Sequence, residues 1–263
     1  MKELRLRRLY RKNQKLIIIP LDHGVTYGPI RGINNIRDTV ETIITTKANA
    51  IILHKGNIIN CKDILKRNSD LGVILHLNAS SHFSPNKERK VLVTCVEEAL
   101  QLGVDAVSIH INIGNDYDYQ MLCDFGEVSK ECQKWGMPLL AMVYPRGNEN
   151  DEKNVEFYMA AARIAMEIGA DMVKINYTGD HESFQRIVNG VNIPVLVAGG
   201  DYNTDSSMFI NNVKDAIDAG AAGVAIGRNI FQRNNITDYI ATIDEAINKN
   251  SEEMKKSKSF SVG

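Results

Sequence analysis

The feature that most constrains the fold is a short apolar run that recurs eight times along the 263 residues. Each run is rich in Val, Ile and Leu with little alternation, and a polar or Gly-containing turn and a helical stretch follow it. Such runs are typical of parallel strands that are covered on both faces. The runs occupy residues 16–21, 50–53, 72–77, 106–109, 139–143, 172–175, 195–198 and 223–226.

A second repeat supports this division of the chain. The strings "TTKANAIIL", "LGVDAVSI", "IGADMVKI" and "AGAAGVAI" each end a helix, turn through a small residue and enter an apolar run. Eight such units fit a closed barrel better than a doubly wound sheet, and the length matches the roughly 250 residues of such barrels. We therefore predict an α/β chain with one (β/α)8 TIM barrel over residues 1–250 and a polar C-terminal tail over 251–263.

The charge balance limits the classes of partner. The chain has 31 basic and 32 acidic residues, which predicts neither nucleic acid nor an anionic membrane as a partner. No apolar run approaches the roughly 18 residues of a membrane span, so we expect a cytoplasmic protein. Leucines and basic residues alternate near the start, and this pattern predicts a helix that closes the bottom of the barrel. Targeting or RNA binding is the alternative role. The basic residues are Arg5, Arg7, Arg8, Arg11 and Lys12.

Polar side chains cluster where the apolar runs end. In a (β/α)8 barrel these ends meet at one mouth, which is where the active sites of such enzymes lie. The residues that the sequence places there are Asp22, His23, His54, Lys55, His76, His110, Tyr144, Arg146 and Lys174.

Lys174 interrupts an apolar run in "ADMVKINYTGD", where burial of an ammonium is costly. A desolvated lysine loses its proton more readily, and the neutral amine can attack a carbonyl to form a Schiff base. Asp22 and Tyr144 project from other strand ends and supply an acid and a base. The alternatives are a structural salt bridge for Lys174, a loop-capping role for Asp22 and rim packing for Tyr144.

Glycines near the C-terminus predict a phosphate site. Gly199 and Gly200 follow the seventh run, and Gly227 and Arg228 follow the eighth, where a short helix is expected to begin. Loops at these two positions and a helix N-terminus recur as the phosphate site of such barrels. Arg228 would add a charged fork to a phosphate. The alternative is that these glycines only form tight turns.

Two other functions are alternatives to Schiff-base catalysis. The histidines at strand ends are compatible with a metal-dependent aldolase, although no HxH, HxxxH or CxxC spacing accompanies them. We instead expect them to contact substrate and Asp22. A non-catalytic barrel that senses a sugar phosphate is the other alternative, and a buried amine beside an acid and a base argues against it.

The ordered strings "IIIPLDHGVTYGPIRG", "IILHKG", "AVSIHINIG", "LLAMVYPRG", "MVKINYTGD", "VLVAGG" and "GAAGVAIGRNIFQ" resemble the archaeal-type class I fructose-bisphosphate aldolase family. The resemblance covers about residues 5–248. It implies that Lys174 forms the Schiff base, that Tyr144 is the general acid/base and that Asp22 assists carbinolamine and proton-transfer steps. It also implies that no metal or organic cofactor is needed and that the protein is a homo-oligomer, a decamer of two pentamers.

Within that family the sequence is similar to members that join a three-carbon ketone unit, taken from a keto-sugar phosphate, to L-aspartate semialdehyde. A related reaction with dihydroxyacetone phosphate, which feeds 3-amino-4-hydroxybenzoate synthesis, and plain fructose-bisphosphate cleavage remain open alternatives. Asp201 beside the phosphate loops is expected to turn outward. The further candidates for substrate contact are Arg146, His54, His110 and His23.

Overall fold

The computed structural model describes residues 1–10, 14–147 and 154–259. Ten strands lie in these segments: β1 Leu16–Pro20, β2 Ala50–Leu53, β3 Gly72–His76, β4 Asn78–Ala79, β5 Val91–Leu92, β6 Ala106–Ile113, β7 Leu139–Pro145, β8 Met172–Asn176, β9 Val195–Ala198 and β10 Gly223–Ala225. Eight of them form a closed barrel in the order β1-β10-β9-β8-β7-β6-β3-β2. All its neighbouring strands pair in parallel, which confirms the predicted (β/α)8 architecture.

Helices surround the barrel and connect its strands. Their bounds are α1 Lys2–Leu9, α2 Gly24–Tyr27, α3 Ile36–Ile43, α4 Lys55–Asn60, α5 Lys62–Leu65, α6 Val96–Leu102, α7 Asp118–Trp135, α8 Val155–Ile168, α9 His181–Asn189, α10 Ser206–Asp218, α11 Arg228–Phe231 and α12 Ile236–Ser259. Side-chain caps fix the start of several. Asp180 accepts a hydrogen bond from the Ser183 N–H at 2.9 Å, and Asp205 does so from Met208 at 3.0 Å.

Each predicted apolar run forms a barrel strand; β8 is one residue longer than predicted, and β6 and β7 are longer by several residues. β6 continues to Ile113 and β7 to Pro145, because the two strands stay paired as far as Ile113 and Pro145. His110 and Tyr144 therefore lie within strands and not after them. A short antiparallel hairpin of β4 and β5, absent from the sequence prediction, follows β3.

The apolar core has two layers, one inside the barrel and one between the strands and the helices. Side chains that point inward fill the lower barrel, and those that point outward pack against the helices. Fully buried inward-facing residues include Leu16, Ile18, Ile52, Leu140 and Leu196. The layer inside leaves the upper part of the barrel to polar side chains.

Helix α1 closes the N-terminal end of the barrel, as predicted. Leu9 is fully buried beneath the strands. Arg8 pairs with Asp105 at 3.0 Å, and Lys2 pairs with Asp171 at 3.0 Å. Arg11 and Lys12 lie outside the described residues.

Helix α12 extends through Ser259 and thus into the segment predicted as a polar tail; residues 260–263 lie outside the described part of the chain. Among the helices that the structure describes, none combines the length and the apolar character needed to cross a membrane.

Candidate active site

A cavity of about 370 Å³ opens at the carboxyl ends of the barrel strands. All eleven predicted site residues line it, together with His76. Lys55, which the sequence also placed at a strand end, instead begins α4 and pairs with Glu98 at 3.0 Å. The structure therefore brings these strand-end residues together at one cavity.

Lys174 lies in the middle of β8 and is only 8% exposed. It pairs in register with Met142 of β7, and its Nζ lies 4.0 Å from the Met142 sulfur. Neighbouring Val173 and Ile175 belong to the outer core layer, so the strand alternation turns Lys174 into the barrel. No ion pair holds its ammonium among the described residues, which disfavours the structural salt-bridge alternative.

Asp22 follows β1, and two histidines surround its carboxylate. Its oxygens lie 3.7 Å from His23 Nδ1 and 3.7 Å from His76 Nε2. Burial by itself raises the pKa of Asp22, but the nearby imidazoles and the Lys174 ammonium together lower it, and the net pKa is below the usual range of a carboxyl. Asp22 is therefore ionised at neutral pH.

The histidines of the cavity are neutral at pH 7. Burial lowers the pKa of His76 to about 3 and that of His23 to about 4. The pKa values of His54 and His110 are also lowered, again mainly by burial. The negative charge of Asp22 raises the pKa of His23, His54 and His76, but the effect of burial is larger.

Tyr144 lies on β7, two residues beyond Met142. Its side chain therefore points to the same side of the sheet as Met142, which contacts Lys174. Its ring packs against His110 with ring centroids 4.8 Å apart, and the Arg146 guanidinium lies 5.8 Å from its ring centre. His110 is fixed by a 2.8 Å contact between its Nε2 and Asn112 Oδ1. The phenol group is thereby oriented at the mouth.

The loops after β9 and β10 meet at one side of the cavity, which we call the glycine wall: Gly199, Gly200, Gly227 and Arg228. A Cβ at Gly227 would lie 2.6 Å from His23 Cε1, and one at Gly199 would lie 2.9 Å from Ile226 Cγ2. Only glycine permits this close approach. Gly227 immediately precedes α11, so the helix predicted after the eighth run is confirmed.

Asn229, which sequence reasoning left without a role, holds the glycine wall together. It is fully buried, and its Nδ2 donates to the carbonyl oxygens of Gly199 at 2.8 Å and Asp201 at 2.6 Å. Its Oδ1 accepts from the Asn203 N–H at 2.8 Å. The two loops are therefore fixed to each other before any ligand binds.

Arg228 and Asp201 interact across the rim of the glycine wall. The Asp201 side chain is 87% exposed, which confirms that it turns outward, yet its carboxylate pairs with Arg228. The Arg228 guanidinium also lies 5.9 Å from the Tyr27 ring centre. A phosphate would therefore compete with Asp201 for this guanidinium.

Several lining residues were missed by the sequence analysis. Asn78, Ser80 and Lys90 reach the cavity from the β4–β5 hairpin, and Asn176 reaches it from the end of β8. Polar residues at 78 and 80 directly after the third run were the available signal. Nothing in the sequence spacing placed Lys90 beside them.

The metal alternative depends on convergence of several donor side chains. Among the residues that the structure describes, no three His, Cys, Asp or Glu side chains form a group able to hold a metal ion. The His54 and His76 rings instead pack edge to face, with centroids 5.3 Å apart. The donor arrangement thus gives no support to a histidine-bound metal.

Residues 16–233 match the family described as DeoC/LacD family aldolase. The chain belongs to the DeoC/LacD family of aldolases. This match spans every strand of the barrel and all the residues that line the cavity. The protein is accordingly an enzyme of the aldolase type.

Curated relatives agree with this assignment. The chain is 38% identical over 233 residues, 88% of its length and 84% of the relative's, to 2-amino-4,5-dihydroxy-6-oxo-7-(phosphonooxy)heptanoate synthase of Streptomyces griseus. It is 41% identical over 220 residues, 84% of its length and 81% of the relative's, to 2-amino-3,7-dideoxy-D-threo-hept-6-ulosonate synthase 1 of Archaeoglobus fulgidus.

Solved structures of archaeal fructose 1,6-bisphosphate aldolase are similar in fold. One superposes with a TM-score of 0.85 at 28% identity and covers 95% of this chain and 100% of its own. Another, with a TM-score of 0.84 at 27% identity and coverage of 94% and 100%, has its catalytic lysine covalently bound to the carbinolamine intermediate of the substrate. The resemblance seen in the sequence is confirmed at the level of the family.

Proposed function

We propose that the protein is a lysine-dependent aldolase or transaldolase that joins a three-carbon ketone unit to L-aspartate semialdehyde. The observation that carries the proposal is the environment of Lys174. A buried amine without an ion pair among the described residues faces a polar cavity, with ionised Asp22 and the phenol of Tyr144 on the same lining. These are the groups that Schiff-base catalysis requires.

The first half of the reaction forms an enamine on Lys174. The neutral amine attacks the donor ketone, and the nitrogen proton moves to oxygen to give a carbinolamine. Protonation of the carbinolamine hydroxyl releases water and leaves an iminium. Asp22 and Tyr144 carry the protons in these steps. The iminium then accepts the electron pair of a C–H bond, whose proton passes to Tyr144 or Asp22, and becomes the enamine. In a transaldolase it accepts the pair of the C–C bond instead, as Tyr144 takes the proton of the adjacent hydroxyl and the first aldehyde leaves.

The second half makes the new bond. The enamine carbon attacks the aldehyde carbon, and the aldehyde oxygen takes a proton from Tyr144 as the alkoxide forms. Water then adds to the new iminium, and its cleavage releases the ketone product and the free amine of Lys174. Since the protonated imine accepts the electrons, the proposal needs no metal or organic cofactor.

The names of the curated relatives indicate the aldehyde substrate. Both products are seven-carbon chains with a 2-amino group, a carboxylate at C1 and a keto group at C6. An enamine from a C6 ketone reacts at C5, so the new bond joins C5 to C4. The remaining C1–C4 fragment is a four-carbon amino acid aldehyde, which is aspartate semialdehyde.

The glycine wall indicates the chemical class of the ketone donor. The backbone of β9 pairs with that of β8, so Gly199 and Gly200 follow directly beside the strand of Lys174. Backbone N–H groups at a helix start suit a phosphate, and Arg228 adds charge. We therefore propose a phosphorylated donor, either dihydroxyacetone phosphate or a deoxy-keto-sugar phosphate.

Cleavage of fructose bisphosphate is the second candidate, because the archaeal aldolases share the fold over 95% of this chain. This cleavage would also use Lys174 and the glycine wall, and it would differ in the aldehyde that takes part. A cytoplasmic location, expected from the lack of a long apolar run in the sequence, stays a prediction. A decameric assembly, which the sequence resemblance implies, stays one as well.

The test is borohydride trapping followed by intact and peptide mass spectrometry. Wild-type protein is incubated with each donor, with and without L-aspartate semialdehyde, with EDTA throughout. We expect a reduced adduct on Lys174 that diminishes when the semialdehyde is present, because the aldehyde consumes the enamine. Fructose bisphosphate in a parallel sample tests the second candidate.

The matched control is Lys55→Met, since Lys55 also follows a strand but pairs with Glu98 away from the cavity lining. It should form the adduct as the wild type does, whereas Lys174→Met should form none. An adduct absent from every lysine, with activity that EDTA abolishes, would overturn the Schiff-base proposal. Ligand binding without turnover of any aldol pair would instead favour the sensor.

A further inference from the structure

The segment from Asn78 to Leu92, which contains β4 and β5, forms the side of the cavity opposite the glycine wall. It connects β3 to β6, and these two strands lie across the closed barrel from β9 and β10. Lys174 on β8 lies between the two sides along the barrel wall. We call this segment the hairpin wall.

Lys90 is the cation of the hairpin wall. Its side chain is half-buried and lines the cavity, and its Nζ donates a hydrogen bond to Ser80 Oγ at 2.6 Å. No carboxylate of the described residues forms an ion pair with it. An ammonium has three N–H donors, so this geometry leaves two for a ligand.

The nearby acid of the same segment is engaged elsewhere. Glu88 Oε2 accepts a hydrogen bond from Asn112 Nδ2 at 3.0 Å, and the Glu88 carbonyl accepts from the same group at 2.8 Å. Asn112 is almost fully buried in β6. Glu88 therefore anchors the hairpin wall to the barrel and does not neutralise Lys90 by direct pairing.

A second cation lies close to Lys90. Arg146 directly follows β7, the barrel strand beside β6, and lines the same cavity. Burial lowers the pKa of Lys90, and the charge of Arg146 lowers it further, while Glu88 and Asp22 act in the opposite direction. Two cationic side chains on one side of a small cavity attract an anion.

We propose that Lys90, with Arg146, binds the anionic end of the aldehyde substrate and so determines which aldehydes the enzyme accepts. This inference rests on the proposed function, since it assigns a subsite of the same cavity. The anion is the carboxylate of an amino acid aldehyde or the phosphate of a phosphorylated aldehyde, and both suit the same pair of cations.

The position of the hairpin wall fits this assignment. The aldehyde carbon must meet the enamine on Lys174, beside Tyr144, while the donor extends toward the glycine wall. The far end of the aldehyde then points to the opposite side, where Lys90 lies. A fixed cation at that distance orients the aldehyde for attack.

Kinetics with three aldehydes test the proposal: L-aspartate semialdehyde, glyceraldehyde 3-phosphate and uncharged propanal, each at a saturating concentration of dihydroxyacetone phosphate. In Lys90→Gln we expect the KM of the preferred anionic aldehyde to rise about 10- to 100-fold with little change in kcat, because a charge-assisted hydrogen bond is lost. Propanal kinetics should not change. Lys90→Arg should recover most of the loss.

Lys87→Gln is the matched control, since Lys87 is exposed on the same segment. It should behave as the wild type with all three aldehydes. The amount of Lys174 adduct trapped with donor alone measures the competent fraction of each variant. A KM effect confined to the semialdehyde identifies the carboxylate as the anion, and one confined to glyceraldehyde 3-phosphate identifies the phosphate.

Equal losses with propanal, or no change with any aldehyde, would overturn the subsite. Titration calorimetry with L-homoserine, the unreactive alcohol counterpart of the semialdehyde, keeps this test independent of catalysis. In a Lys174→Met background, Lys90→Gln should weaken L-homoserine binding about 10-fold. Unchanged affinity there would contradict a carboxylate subsite, whereas failure of wild-type adduct formation would contradict only the proposed reaction.

Discussion

The two ends of the barrel treat buried polar groups in opposite ways. At the N-terminal end, Asp171 accepts from the Leu139 N–H at 2.8 Å and pairs with Lys2. Asp105 accepts from the Val73 N–H at 3.0 Å and pairs with Arg8. Asp171 and Asp105 thus each join a strand to helix α1.

At the C-terminal end, two buried groups that line the cavity lack such partners. Lys174 contacts a sulfur, and His23 Nδ1 is buried with no hydrogen-bond partner among the described residues. Burial of this kind costs free energy. The comparison teaches that the ion-paired carboxylates below the strands stabilise the fold, whereas the unpaired groups of Lys174 and His23 above them lower its stability and serve the chemistry.

The largest expected effect is that of Lys174→Met. Removal of the nucleophile should lower turnover at least about 1,000-fold. The melting temperature should stay equal or rise, because an apolar side chain replaces a buried ammonium beside Met142. Turnover and thermal unfolding of the same preparation test both statements, and a clear fall in Tm would show that Lys174 also stabilises the fold.

Tyr144→Phe removes the phenolic hydroxyl and keeps the aromatic ring. Loss of a general acid/base should lower turnover about 100-fold. The remaining ring still packs on His110, so the Tm should hardly change. Tyr119→Phe is the control, because Tyr119 is 66% exposed on α7. Turnover of Tyr144→Phe close to that of the control would exclude Tyr144 as the proton carrier.

Asp171→Ala is expected to show the opposite result at the other end of the barrel. It removes the acceptor for Leu139 N–H and the partner of Lys2, which should cost about 2 kcal/mol of unfolding free energy. The Tm should fall by about 4–8 °C. Turnover well below the Tm should stay within about twofold of wild type. A large loss of turnover would mean that the two ends are coupled.

The control for Asp171→Ala is Asp63→Ala, which breaks the exposed ion pair with Arg37. Its Tm should not change measurably, since exposed pairs contribute little. Equal Tm shifts in Asp171→Ala and Asp63→Ala would show that the partly buried carboxylate contributes no more to stability than the exposed one.

The sequence predicted the fold and most of the cavity because two constraints are local. Strands covered on both faces must be apolar, and the ends of parallel strands in a barrel must share one mouth. Asp22, Tyr144 and Lys174 could therefore be placed without any knowledge of tertiary contacts. The same logic located the glycine wall from Gly199 and Gly227.

The parts that escaped prediction depend on contacts distant in sequence. The extension of β6 alternates His110 and Asn112 with isoleucines, so it lacks the continuous apolar run used as the criterion. Lys90 lies in a polar segment without periodicity. Its placement depends on pairing of β4 with β5 and on the Val93 N–H that donates to Leu77 at 2.9 Å.

The smallest expected effect is a change in how stability depends on pH. An unfolded histidine takes up a proton below its ordinary pKa near 6.5, but His76 in the folded protein, with a pKa of about 3, does not. The unfolded state therefore binds more protons between pH 7 and pH 5, so stability is complete above this range and falls as the pH decreases. The lowered pKa of Asp22 acts in the same direction, but only below the ordinary range of a carboxyl.

His76→Gln should make the pH dependence of unfolding free energy shallower by about one proton between pH 7 and pH 5. Denaturant unfolding at pH 7, 6 and 5 measures the slope. His82→Gln is the control and should keep the wild-type slope, because the His82 side chain is exposed. If His76→Gln keeps that slope as well, the acid sensitivity does not arise from the buried imidazole beside Asp22. The contrast between the two ends would then rest on Lys174 and His23.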